Sequence, residues 1–136
     1  AHSPESLQNI LETVKTYTQG RVICVFGCGG DRDSGKRPVM GEIAGNIANY
    51  TIITSDNPRS EDPEEIMKQI QQGIKTTKGS YEMIVDRKEA IKKALQMANR
   101  KDIVVIAGKG HELTQEIKGK KYPFDEREIV KEILQD

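Results

Sequence analysis

Val22-Ile23-Cys24-Val25-Phe26 is an unbroken apolar run, of a length that suits a strand rather than a helix. A strand with one wet face alternates apolar and polar residues. A strand apolar at every position is covered on both faces, as in parallel sheets layered between helices. The run lies inside a strand reading from Arg21 to Cys28. Two further stretches, Tyr50 to Ser55 and Asp102 to Ala107, also read as strands.

Helix patterns fill the intervals. Ser3 can cap a first helix with Pro4 in its opening turn, and Leu7, Ile10, Leu11 and Val14 make its stripe. After Pro38, Met40, Ile43, Ala44, Ile47 and Ala48 form a second stripe. Asp62-Pro63-Glu64-Glu65 is a capping box ahead of Ile66, Met67, Ile70 and Ile74. A third strand reads from Tyr81 to Val85, and Asp86-Arg87-Lys88-Glu89 is another capping box ahead of Ile91, Ala94, Leu95 and Ala98. Gln115 to Pro123 reads as a hairpin turning near Gly119, and Asp125 to Glu128 opens a last helix with Ile129, Val130, Ile133 and Leu134. The alternation predicts one α/β domain over residues 1–136, with a mostly parallel sheet and helices on both faces.

Lys plus Arg and Asp plus Glu each number 21, so the net charge is zero. Nothing in that balance attracts a polyanion, and neither a nucleic-acid nor an anionic-membrane partner is expected. No run of about 18 apolar residues is present, which excludes a transmembrane helix from the sequence. Ala1-His2-Ser3-Pro4-Glu5 lacks a basic region followed by an apolar one, so no signal peptide is expected. Cys24 and Cys28 are the only cysteines. Four residues along a strand span roughly 13 Å, while a disulfide needs Cα atoms within about 7 Å, so free thiols in a reducing compartment are expected. His2 and His111 complete the set of soft ligands, which is too small for a structural zinc site.

Three charged segments follow strands. Gly29-Gly30-Asp31-Arg32-Asp33 follows the first, Asp56-Asn57-Pro58-Arg59 the second, and Gly108-Lys109-Gly110-His111-Glu112 the fourth. In an open α/β sheet, ligands sit outside the carboxyl ends of the strands. The segments offer two guanidinium groups, several carboxylates, an amide and exposed backbone. That chemistry suits a zwitterion, with Arg for its carboxylate and Asp or Glu for its ammonium.

Each segment also has a plainer reading. Gly27-Cys28-Gly29 begins like a dinucleotide fingerprint, but Arg32 stands at the third glycine position. Gly30 to Lys36 fits the first seven positions of a P-loop, but Arg37 replaces the magnesium-ligating Ser or Thr, and Asp31 and Asp33 would repel phosphate. The same loop also reads as a solvated turn. Ser55-Asp56 and Asn57-Pro58 favour turns. Gly108 to Glu112 suits a helix cap or an anion-binding nest, with His111 structural or facing solvent. No Ser-His-Asp arrangement and no acid/base carboxylate pair stands out, and Lys118 to Lys121 reads as a solvated hairpin tip.

Taken in order, Ala1-His2-Ser3-Pro4, Gly29-Gly30-Asp31-Arg32-Asp33, Lys36-Arg37-Pro38, Asp56-Asn57-Pro58-Arg59 and Gly108-Lys109-Gly110-His111-Glu112 resemble one family. It is the C-terminal domain of the UDP-N-acetylmuramoyl-tripeptide synthetases (MurE), the diaminopimelate-adding Mur ligases. The resemblance covers essentially the whole chain. It implies a Rossmann-like domain of a larger cytoplasmic ligase in peptidoglycan synthesis. The full enzyme joins an amino acid to UDP-N-acetylmuramoyl-L-alanyl-D-glutamate, consuming ATP through an acyl phosphate. By resemblance Arg32, Asp56, Asn57, Pro58, Arg59, Gly108 and Glu112 bind meso-diaminopimelate. The catalytic residues, the ATP and magnesium sites and the UDP-sugar site would belong to other domains. This domain alone is then expected to bind no cofactor or metal and to be inactive. A stand-alone amino-acid-binding domain and a lysine-adding ligase are the alternatives.

Overall fold

The chain is described by a computed structural model over residues 3–31, 33–108, 114–117 and 120–123. Helix α1 (Pro4–Tyr17) starts as its sequence predicts, with the Ser3 hydroxyl accepting from the Ser6 N–H at 3.2 Å. Its buried stripe is narrower than expected. Leu7, Leu11 and Val14 are buried, but Ile10 is 40% exposed.

Strands β1 (Val22–Phe26), β2 (Tyr50–Ile53), β3 (Ser80–Met83) and β4 (Ile103–Ile106) form one sheet in the order β3-β2-β1-β4, with every pairing parallel. Helices α2 (Lys36–Ile47), α3 (Pro63–Ile74) and α4 (Arg87–Met97) connect them. All five residues of β1 are buried. Alternate positions face opposite ways. Val22, Cys24 and Phe26 join Leu7, Leu11, Met40, Ala44, Met67 and Ile70 from α1, α2 and α3. Ile23 and Val25 join Ala90, Ile91 and Ala94 from α4. The unbroken apolar run is thereby explained: each face of β1 meets a helix layer. Burying a side chain of this size contributes about 1.5–3 kcal/mol. The fold is Rossmann-like, as the alternation and the resemblance led one to expect.

The strands are shorter than their sequence readings. β2 stops at Ile53 and β3 at Met83, although Thr54 and Ile84 each still donate to the neighbouring strand, to Phe26 and Ile53. Helix α2 begins at Lys36, ahead of Pro38, which sits in the first turn where a missing N–H costs no helical bond. Asp62 and Asp86 cap α3 and α4, accepting from the N–H groups of Glu64 and Glu89. Strands β5 (Thr114–Ile117) and β6 (Lys120–Pro123) form the expected hairpin as a separate antiparallel sheet. The helix expected from Asp125 onward lies outside the described residues. No helix among the described residues is long and apolar enough to cross a membrane.

Candidate ligand-binding cleft

From β1 the chain passes to β2 and β3 on one side of the sheet, and β4 then lies on the other side of β1. Strand order therefore reverses at β1, and the loops leaving β1, β2 and β4 converge at the carboxyl edge. A cleft of about 520 Å³ opens there. It is lined by Gly27, Cys28 and Gly29 after β1, by Asp33, Lys36, Arg37 and Met40 at the start of α2, and by Asp56, Asn57 and Arg59 after β2.

The β1 and β2 loops touch through their backbones. The Gly30 N–H donates to the Asn57 carbonyl at 2.6 Å. A Cβ added at Gly30 would lie 1.8 Å from the Pro58 carbonyl oxygen, so only glycine allows this approach. Arg59 Nη1 donates to the Gly30 carbonyl at 2.9 Å and to that of Asn57 at 3.3 Å. Opposite it, the Ser60 hydroxyl donates to Asp31 Oδ1 at 2.5 Å. Asp31 and Arg59 both take positive φ, 54° and 52°. Non-glycine residues rarely adopt that conformation, and it concentrates where surrounding structure holds a ligand loop in shape.

Arg37 lies beneath this junction with 1% exposure. Its Nη1 and Nη2 donate to the two carboxylate oxygens of Glu61, each at 2.9 Å. Nη2 also donates to the Gly29 carbonyl, and Nη1 to Gln69 Oε1. Glu61 Oε1 accepts in addition from the Asp31 N–H at 2.7 Å. The Arg37 hydrogen bonds, then the Asp31 N–H, hold the Glu61 carboxyl below its ordinary pKa. The position that a P-loop reserves for a magnesium-ligating hydroxyl is thus a buried structural arginine. Asp33 Oδ1 accepts from the Gly35 N–H two residues on, a local turn that closes the loop. These contacts do not fit a phosphate cradle.

Cys28 lines the cleft with its Sγ 3.7 Å from Met40 Sδ. Burial pushes its thiol up to about 12, with Arg37 pulling down and Asp56 pushing up more weakly. Cys24 is fully buried and is likewise raised to about 12 by burial. Both cysteines are free, as their spacing led one to expect.

On the far side of β1, Arg87 is also buried at 1% exposure. Its Nη1 donates to the Ser55 carbonyl at 3.0 Å and its Nη2 to the Ala107 carbonyl at 2.9 Å. Gly108 follows at φ 118°, where a Cβ would meet Arg87 Nη2 at 3.5 Å and Asp56 Oδ2 at 3.8 Å. Asp56 and Asn57 are 3% and 8% exposed, so their polar groups are held in place rather than solvated.

Of the residues singled out from the sequence, Asp56, Asn57, Pro58 and Arg59 lie in one loop at the cleft, and Gly108 approaches Asp56 from β4. Arg32 and Glu112 lie outside the described residues. From the sequence, Arg37 is notable only as a departure from a P-loop and within a family motif, Arg87 only within a capping box, and Glu61 not at all; the buried tying roles of all three are missed. One signal was available. Arg37 and Arg87 stand in first helical turns, where the helix dipole disfavours a cation, but the exposed Lys36 and Lys88 share those turns, so the signal does not single out the arginines.

Fold and cleft together define a doubly wound α/β domain with a polar site at the carboxyl edge of its sheet. A family model described as "Mur ligase, glutamate ligase domain" matches residues 1–110, and the chain belongs to that family. A relative from Caldanaerobacter subterraneus subsp. tengcongensis, named UDP-N-acetylmuramoyl-L-alanyl-D-glutamate--2,6-diaminopimelate ligase, is 58% identical over 134 residues, which is 98% of this chain and 28% of the relative. A Clostridium acetobutylicum protein of the same name, numbered 1, is 54% identical over 136 residues, covering 100% of this chain and 28% of its own length. A solved structure of a ligase of this name superposes with a TM-score of 0.94 at 48% identity, covering 99% of this chain and 28% of the other. A solved domain from Haemophilus ducreyi 35000HP, at 14% identity and TM-score 0.59, covers 99% of this chain and 84% of its own and shares the fold. The chain therefore spans about 28% of the length of the ligases it resembles.

Proposed function

We propose that this chain is the C-terminal, amino-acid-binding domain of a larger ATP-dependent ligase. That enzyme joins meso-diaminopimelate to UDP-N-acetylmuramoyl-L-alanyl-D-glutamate in the cytoplasm. The observation that carries the reading is the convergence of Asp56, Asn57, Arg59 and Gly108 at one edge of the sheet. The names of relatives 58% and 54% identical support it.

In this reading Arg32 and Arg59 face carboxylates of the amino acid. Asp56 and Glu112 face its ammonium groups, while Asn57, Pro58 and Gly108 shape the backbone around it. Diaminopimelate differs from lysine by a distal carboxylate. With lysine in the site, the charge-assisted hydrogen bond to that carboxylate is lost, worth about 1.5–3 kcal/mol, so diaminopimelate is preferred. ATP and magnesium are held by other domains, and ATP supplies the activation of the accepting carboxyl. The residues of this chain bind the incoming amine, orient it and help exclude water as the domains close.

The test is product formation by the full-length enzyme with saturating ATP and UDP-linked dipeptide, with diaminopimelate competing against lysine. Strong preference for diaminopimelate is expected. Equal use of the two amino acids would defeat the assignment of the arginines.

A further inference from the structure

We propose that Arg87 is a positioning residue for amino-acid recognition, tying the loop after β2 to the turn after β4 and so setting the separation of Asp56 from Gly108. The inference rests on the function proposed above.

Strands β2 and β4 are not neighbours, because β1 runs between them. Next-but-one strands lie about 9–10 Å apart and share no ladder hydrogen bonds. The last ladder-type bonds to β1 are made by the Thr54 N–H to Phe26 and by the Ala107 N–H to Val25. Asp56 and Gly108 come after those points, so the sheet does not by itself fix their spacing. The Arg87 guanidinium crosses the interval. One Nη takes the carbonyl of Ser55, the residue before Asp56. The other takes the carbonyl of Ala107, the residue before Gly108. A planar fork with fixed spacing between its two nitrogens is suited to holding two acceptors at a set distance.

Three further facts agree. Arg87 is the first residue of α4, where a positive charge opposes the helix dipole, so its placement is not explained by helix stability. It is buried at 1%, so it does not reach the ligand as a flexible surface charge would. The vector from Gly108 along which a side chain would project meets both Arg87 and Asp56 within 4 Å, so all three groups converge on one point. Arg87 thus acts through the residues it spaces.

The experiment uses the full-length enzyme carrying Arg87→Lys and, separately, Arg87→Gln. Neither replacement offers two donors with the reach and rigid spacing of the guanidinium. KM is measured for diaminopimelate, for ATP and for the UDP-linked dipeptide, alongside Tm. The expected result is a diaminopimelate KM raised about tenfold or more in both variants, with the other two KM values within about twofold of wild type. A diaminopimelate KM within about twofold of wild type would overturn the proposal, as would all three KM values rising together. Failure of both variants to fold would overturn it too, since Arg87 would then be a stability element. The wild-type enzyme separates the two levels. No diaminopimelate-dependent product from it defeats the proposed function, whereas product from wild type with unchanged KM in the variants defeats the positioning role.

Discussion

Glu61→Gln tests whether the Arg37 pair sustains the junction of the β1 and β2 loops. Glu61 gives both oxygens to Arg37 and shares one with the Asp31 N–H. Glutamine keeps one oxygen, enough for Arg37 Nη2 and the Asp31 N–H. Its amide nitrogen then faces Arg37 Nη1, donor against donor. One charge-assisted hydrogen bond is lost, worth about 1.5–3 kcal/mol. The Glu61 side chain is 32% exposed while that of Arg37 is 2% exposed, so water relieves the glutamate end but not the arginine. The expected cost is about 2 kcal/mol, which lowers Tm by about 5–10 °C for a domain of this size. Arg37→Met should cost about as much, but the double variant should cost about 1–2 kcal/mol less than the sum, because neither partner is then left facing an unmatched group. The assay is urea unfolding of the 136-residue chain at pH 7 followed by circular dichroism. Additive single costs, or a Glu61→Gln cost under about 0.5 kcal/mol, would show that the pair contributes little and that the backbone bonds alone hold the junction.

In the full-length enzyme, Arg59→Lys should lower kcat/KM for diaminopimelate about ten- to a hundredfold and leave the KM for ATP unchanged, since lysine loses both the fork and the Gly30 tie; equal losses for lysine and diaminopimelate as substrates would make Arg59 purely structural. Cys24 and Cys28, both raised to about 12, should resist a thiol reagent in the native chain at pH 8 and react fully once denatured without reductant; fast native labelling of either would contradict the burial. Asp102 accepts from the N–H groups of Asn99 and Arg21 and from the Arg21 guanidinium, which hold its pKa at about 2 against an ordinary 3.8. A depressed carboxyl stabilises the fold above its unfolded pKa and loses that contribution as pH falls through the folded value, so the urea midpoint should drop between pH 4 and pH 2, less steeply in Asp102→Asn; an identical slope in the variant would remove Asp102 from the account.

The features legible in the sequence were those fixed by local period or by topology. Val22 to Phe26 announced a doubly covered strand because its neighbours in the chain were already apolar. That Asp56 to Arg59 and Gly108 would lie near one another was legible because a parallel sheet brings every post-strand loop to one edge. The buried arginines were hidden for the opposite reason. A charged residue reads by default as surface, and its rescue by partners is invisible when those partners are distant in sequence. Arg37 finds Glu61 at a separation of 24, and Arg87 finds Ser55 and Ala107 at separations of 32 and 20. The positive φ of Asp31 and Arg59 was hidden likewise, being imposed by one loop on the other. Seen together, the two arginines share a logic. Arg37 ties the β1 loop to the β2 loop, and Arg87 ties the β2 loop to the β4 turn. A cleft edge assembled from three loops needs such ties, because the strands stop short of Asp56 and Gly108. Guanidinium groups suit the role, since each satisfies several buried acceptors at once and keeps its charge at every physiological pH.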